Sequence, residues 1–417
     1  MTPAYKRRDA CALCAAPAAQ LQQVFELAAT PPANEFVTHA ELGKEQDRIP
    51  LSLLLCAACG HLQLAEIADP RRLFQHYVYV SGTSSVFVAH FARLAEDLVT
   101  RFGLGPSSFV VDVGSNDGTL LKQFQARGIS KVLGIDPAIE IAREAVAAGV
   151  PTREAFFTPA LAAELRATHG PAAVICANNV FAHAEDLGAF ARGVRALLAD
   201  DGAFVFEVSY LVDVVEKLLF DTIYHEHLAY HALGPLGRFF DGLGLRLFDA
   251  ERVDTHGGSV RCYVCPAAAP RASTERLAGL LAAERALGLF GPEVYTRFKA
   301  RISERGRQLR ERLQTAHAAG QRIAGFGAPA KLTTLMYEFG LGNDLIDFIV
   351  DDSVWKQGRF TPGTHIPVVP ATTLYEKRPD LCVVFAWNFA DSIVKKHAEY
   401  NKVGGRFIIP LPELREI

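Results

Sequence analysis

Two cysteine pairs near the start of the chain, Cys11-x-x-Cys14 and Cys56-x-x-Cys59, limit what it can fold into more than any other feature. A two-residue gap lets both sulfurs of a knuckle reach one ion, and two knuckles complete the tetrahedral thiolate shell that Zn²⁺ favours. The ends of the segment 15–55 must therefore meet at one point, with a loop folded between the knuckles. That segment is longer than in common zinc ribbons. His61 stands close enough to compete as a ligand, but four sulfurs already fill the shell. A filled shell leaves no position for water, so this metal is expected to stabilise and not to catalyse.

Eight cysteines in all, without a signal-like start and without an apolar run of the ~18–20 residues a membrane span needs, point to a cytoplasmic protein. There the thiols serve as ligands or buried groups, not disulfides. A formal net charge of −3 gives no long-range field for nucleic acid or an anionic membrane. An anionic substrate must be held locally. No heptad seam is evident, and a monomer is expected.

At 417 residues the chain exceeds one ordinary core. Residues 1–72 read as the zinc-binding module. In 73–268, short apolar runs (SSFVVDVG, KVLGID, AAVICA, GAFVFEV, LRLFDAERV, SVRCYVCP) alternate with helical periodicity, the pattern of a mostly parallel sheet covered on both faces. Residues 269–417 begin with a charged amphipathic helix and continue as a smaller doubly wound unit. The expected fold is α/β: a zinc module, a central Rossmann-like domain and a C-terminal Rossmann-like domain.

The run Val110 to Leu120, VVDVGSNDGTL, is an apolar strand entering a Gly-bearing turn and then a helix. Gly114 and Gly118 let backbone approach a ligand closely, and the helix start offers free N–H groups beside Asp112, Ser115 and Asn116. The third glycine of a dinucleotide fingerprint is absent, and the run resembles the first motif of S-adenosylmethionine (SAM) dependent methyltransferases. Asp136-Pro137 ends the next strand, where a carboxylate can accept from ribose hydroxyls. An NAD site would use the same acid. Phe156-Phe157 suits the adenine, and Asn178-Asn179 suits the methionine moiety.

Tyr224-His225-Glu226-His227 is the sharpest polar cluster after the cysteines. It is not H-E-x-x-H, and residues i and i+2 on a helix point apart, so acid/base use is a better reading than metal binding. The bland alternative is a polar loop with satisfied core histidines. His183, Glu207 and the His256-Gly257-Gly258-Ser259 run fall at strand ends on the side where such folds hold substrate, and Tyr77 and Tyr79 fall at the junction with the zinc module. In the third part, Gly325-Phe326-Gly327-Ala328-Pro329-Ala330-Lys331 joins a strand to a helix and presents N–H groups and an ammonium to an anion. A purely structural turn is the alternative. Lys331, Lys356 and Asn388 are the candidate diphosphate contacts.

The order zinc module, VDVGSNDGTLL, NNVFAH, YHEH, THGGS and GFGAPAK is similar to that of the nucleotide-sugar C-methyltransferases, notably the 3-C-methyltransferases of deoxysugar pathways. The resemblance spans essentially the whole chain. It implies that the central domain binds SAM and that the third helps hold a thymidine-diphosphate-linked 4-keto sugar. It also implies that His227 is the general base, that Tyr224, Glu226 and His183 line the site, and that Tyr77 or Tyr79 reaches in from the junction. His225 stays open as an alternative base.

The chemistry asks for such groups. A ketone acidifies the neighbouring C–H bonds, here at C3 and C5; a base removes one proton, and Tyr224 or His183 donates to the enolate oxygen. Glu226 is expected to orient the imidazole. C3 is preferred on the resemblance alone. The rivals are C5 methylation, O- or N-methylation of a small molecule, a zinc-bearing NAD-dependent oxidoreductase, and a non-catalytic zinc scaffold.

Overall fold

The computed structural model describes residues 4–74, 82 and 85–417. Strands Leu21–Thr30, Ile49–Cys56 and Leu62–Leu64 form an antiparallel sheet whose register sets Leu21 opposite Cys56. Cys11 and Cys14 precede the first of these strands, and Cys56 and Cys59 flank the turn after the second, so the pairing carries both knuckles to one end. A fourth strand, Ala229–Tyr230, comes from the middle of the chain and pairs with Leu62–Leu64. The zinc module and the central domain therefore share a sheet.

The central sheet has seven strands: β1 (Val110–Val113), β2 (Val132–Asp136), β3 (Thr152–Glu154), β4 (Ala172–Asn178), β5 (Leu198–Ser209), β6 (Leu245–Val253) and β7 (Ser259–Pro266). Their order is β3-β2-β1-β4-β5-β7-β6, parallel from β3 to β5, with β7 antiparallel to both its neighbours. Val111, Ile175 and Val205 are wholly buried, as runs apolar on both faces require when helices cover the sheet. The helix Ser85–Phe102 buries Phe87, Phe91, Leu94 and Leu98 at three- and four-residue spacing. The direction of winding reverses between β1 and β4, which opens a crevice beyond their carboxyl ends.

The helix Glu293–Ala318 leads into the third part. It buries Phe298, Ile302, Leu309 and Leu313 along one face, and Gly306 lets it close on the helix Lys331–Phe339, since a Cβ there would meet Phe339 Cδ1 at 2.5 Å. The third sheet runs Val368–Val369, Ile349–Val350, Ile323–Phe326, Leu381–Val384, Arg406–Ile409 and Arg415–Glu416, parallel except for the last. Its own reversal lies between Ile323–Phe326 and Leu381–Val384. Among the described residues no helix is long and apolar enough to cross a membrane.

Candidate active site

Both reversals open onto one cavity of about 570 Å³, lined by residues from all three parts of the chain. This is within the usual size of a small-molecule site.

On the central side, the turn after β1 needs Gly114 at φ 70°, where a Cβ would meet Val180 at 2.2 Å. Asn116 and Asn179 also line the cavity at positive φ, 52° and 58°. Such backbone costs free energy and persists where the surroundings impose it, often at ligand clamps. Asp136 accepts from the amides of Asn116 and Ala138, each at 2.8 Å, and burial raises its pKa. Burial, with Asp136 beside it, lifts Asp112 to about 8.

Pro137, Phe156, Phe157, Asn178 and Ser115 complete this wall, with Phe157 held edge-on by Phe190 at 5.1 Å. Ser115 Oγ and both polar atoms of the Asn178 amide are buried without a partner among the described residues. Buried polar atoms are rarely left so. A ligand carrying hydroxyls, an amine and a carboxylate supplies those partners, so the residues fit SAM. Gly118 lies outside the lining. At φ 75° it caps the helix Thr119–Gln125, and a Cβ there would strike Val150 at 2.8 Å.

Four aromatic rings of the lining pack in a row. His183 lies 5.4 Å from Phe74 and 5.0 Å from His227, and Tyr224 lies 4.2 Å from His227. His227 Nδ1 donates to the Thr222 carbonyl at 2.7 Å, so the neutral ring carries its lone pair on Nε2. Burial lowers its pKa to about 4, which keeps it neutral at pH 7. His183 is likewise pushed well below the ordinary value by burial, and its Nε2 has no partner among the described residues. His256 lines the cavity at φ 54°, its pKa lowered to about 4 by burial and then by Lys331.

Not all candidates meet there. His225 is wholly buried outside the lining, donating from Nε2 to the Ile49 and Pro50 carbonyls at 3.1 and 3.3 Å. Glu226 accepts from Asn34 Nδ2 at 2.7 Å, and it is the Thr222 carbonyl that orients the imidazole. Gly257 and Ser259 also lie outside the lining: Gly257 packs at Trp387, and Ser259 donates to the Thr255 carbonyl at 3.0 Å, so both shape the turn that carries His256. Glu207 is buried among Arg261 (2.7 Å) and His90 (2.9 Å). Tyr77 and Tyr79 lie outside the described residues.

From the third part come Lys331, Lys356 and Asn388. Lys331 Nζ sits 4.3 Å from the centroid of Trp387, whose indole donates to the buried Asp221 at 2.6 Å. Lys356 donates to the Ala328 carbonyl at 2.9 Å. Burial lowers both ammonium pKa values. Asn34, Phe74 and Thr222 line this site, and the Asp221–Trp387 pair backs Lys331 from outside the lining, yet no spacing in the sequence marks them.

At the metal centre, the four cysteine sulfurs lie within 4.8 Å of one another, with Cys11–Cys59 and Cys14–Cys56 each at 3.6 Å. Zinc–sulfur bonds of about 2.3 Å in a tetrahedron set sulfurs ~3.8 Å apart, so the residues fit zinc. His61 stands outside the group, 5.5 Å from the ring of His231.

Three family models match the chain: a zinc binding domain over residues 11–74, a methyltransferase domain over 87–249 and a C-methyltransferase C-terminal domain over 254–412. The C-methyltransferase NovU of Streptomyces niveus is 36% identical over 394 residues, covering 94% of this chain and 94% of that protein. Solved structures match in part, among them the following two. A SAM-dependent methyltransferase from Anabaena variabilis is 16% identical, covering 43% of this chain and 85% of its own, with a TM-score of 0.34. The CcbJ methyltransferase from Streptomyces caelestis is 13% identical, covering 43% and 90%, also at 0.34. The match to NovU along nearly the whole length, with zinc-binding and methyltransferase models side by side, places the chain in the SAM-dependent C-methyltransferase family.

Proposed function

We propose that this C-methyltransferase acts on C3 of a 4-keto-deoxysugar linked to a nucleoside diphosphate, with thymidine as the favoured nucleoside. The observation that carries the reading is the orientation of His227, whose Nε2 lone pair belongs to a cavity-lining ring stacked on His183 and packed against the tilted ring of Tyr224. His227 removes the proton next to the ketone, and Tyr224 or His183 donates to the oxygen on which charge develops. SAM, when bound, supplies the electrophilic methyl that such a carbon takes. Lys331 and Lys356 hold the diphosphate. That anion also favours the protonated imidazole and strengthens the base when substrate is present.

Incubation with SAM and a thymidine-diphosphate 4-keto-6-deoxyhexose in deuterated water tests this, following product mass and the sugar protons. A carbon-bound methyl, with C3–H exchange when SAM is replaced by its demethylated product, is expected. Exchange at C5 alone moves the reaction to that carbon. Methyl transfer to oxygen or nitrogen without any exchange overturns the enolate route.

A further inference from the structure

The segment on either side of the candidate base is stitched to the zinc module. His225 binds the Ile49 and Pro50 carbonyls, the Leu228 carbonyl accepts from Leu64, and Ala229–Tyr230 adds to the module's sheet. In return the module sends one polar side chain into the cavity, Asn34. Its backbone is clamped from the third part on both sides. Thr333 Oγ1 donates to the Ala33 carbonyl at 3.2 Å, and Val37 and Phe360 exchange two backbone hydrogen bonds at 3.0 and 2.9 Å.

Asn34 has two different ends. Its Nδ2 donates to Glu226 Oε1 at 2.7 Å, and Glu226 is 1% exposed. The amide nitrogen donates to this carboxyl oxygen, which fixes which way the amide faces and turns its carbonyl oxygen to the other side. Here no donor among the described residues reaches Oδ1, and the side chain borders the cavity.

We propose that Asn34 is a substrate-binding residue supplied by the zinc module: its side-chain carbonyl accepts a hydrogen bond from a hydroxyl of the methyl acceptor, while Glu226 acts as the positioning residue that holds it. The inference rests on a sugar acceptor as read above. An amide carbonyl selects for a donor, so it recognises a hydroxyl and not the ketone, which must face Tyr224 and His183. The zinc site then contributes to catalysis without touching the reaction, by keeping residues 31–37 in place beside the base.

The test uses full-length, zinc-loaded enzyme with SAM and the thymidine-diphosphate 4-keto-6-deoxyhexose. Asn34→Ala is expected to lower kcat/KM about 10- to 100-fold, with SAM affinity and zinc content unchanged. Asn34→Asp sets two carboxylates together and falls further. The double variant Asn34→Asp with Glu226→Gln exchanges amide and carboxylate, restores the bond between them and still presents an acceptor oxygen. It is expected to return within a few-fold of wild type. Asn34→Ala within twofold of wild type, loss of zinc or SAM binding in that variant, or a double variant no better than Asn34→Asp alone overturns the proposal. Wild-type enzyme that methylates no keto-sugar is a different failure: it removes the acceptor reading, and this inference with it.

Discussion

At the carboxyl edge of the central sheet, Asp136 accepts from the amides of Asn116 and Ala138, both at 2.8 Å; at the matching edge of the third sheet, Asp351 accepts from Ala328 at 2.6 Å and Ser353 at 2.8 Å. In each case one amide belongs to the glycine-bearing turn of the neighbouring strand, and the other lies two residues past the acid. The two turns are built alike and open onto the same cavity, but they differ in charge. The central turn lines it with Asp112 and Asp136, whereas Asp351 stays out of the lining and Lys331 and Lys356 stand there in its place. Doubly wound geometry thus says where ligands bind, and the residues at the strand ends and the turns after them decide their charge. A sulfonium-bearing cofactor suits the first turn, and the diphosphate of the proposed acceptor is assigned to the second.

The sharpest break is at the residue between them. His227→Asn is expected to lower kcat by about 10²- to 10⁴-fold while SAM binding, followed by calorimetry, stays within twofold. Next, Lys331→Met is expected to raise KM for the diphosphate-linked acceptor by about 30-fold or more and to leave SAM affinity alone, since a buried charge left without its partner costs several kcal/mol. Asp136→Asn should do the converse, weakening SAM about tenfold with acceptor KM unchanged. Should either substitution weaken both ligands equally, the picture of two separately charged turns fails.

Much of this was legible because it is encoded locally. Cys-x-x-Cys spacing and a strand running into a glycine turn carry their geometry within a few covalent bonds, so Cys11, Gly114 and Asp136 announce themselves. The rest depends on packing. His225 and His227 are equivalent in sequence, and only the Ile49 and Pro50 carbonyls, which hold one of them, assign the other to the cavity. Glu226 is adjacent to the imidazole along the chain, yet its Oε1 accepts from Asn34, far away in sequence. Ser259 and Gly257 sit in a motif that reads as substrate-binding, but they act by shaping the turn beneath His256. A polar residue in a proline-flanked loop, as Asn34 is, has no periodic or spacing signal to distinguish it.

The smallest effect separates the acidic turn from histidines buried elsewhere in the fold. His225 and His231 are wholly buried, and burial lowers them to about 4 and about 3. Unfolded, each titrates near 6.5. As pH falls below that value the unfolded chain takes up protons first, so the stability these groups confer is complete above about 6.5 and is lost towards pH 4. Each adds a slope of up to about 1.4 kcal/mol per pH unit. Asp112 works the other way: its pKa of about 8 lies above the unfolded value near 3.8, so the native state holds the extra proton and loses stability as pH rises between them. His61, His183, His227 and His256 are lowered by burial too, so thermal melts of the zinc-loaded chain without SAM, from pH 8 to pH 4, should show a Tm that falls on acidification more gently than the buried histidines alone would give. Asp112→Asn removes the opposing slope, so it should raise Tm most near pH 8, hardly at all near pH 4, and steepen the acid limb. A uniform gain at every pH would mean that the Asp112 carboxyl is ionised in the free enzyme, and that the central turn keeps its negative charge even before the cofactor arrives.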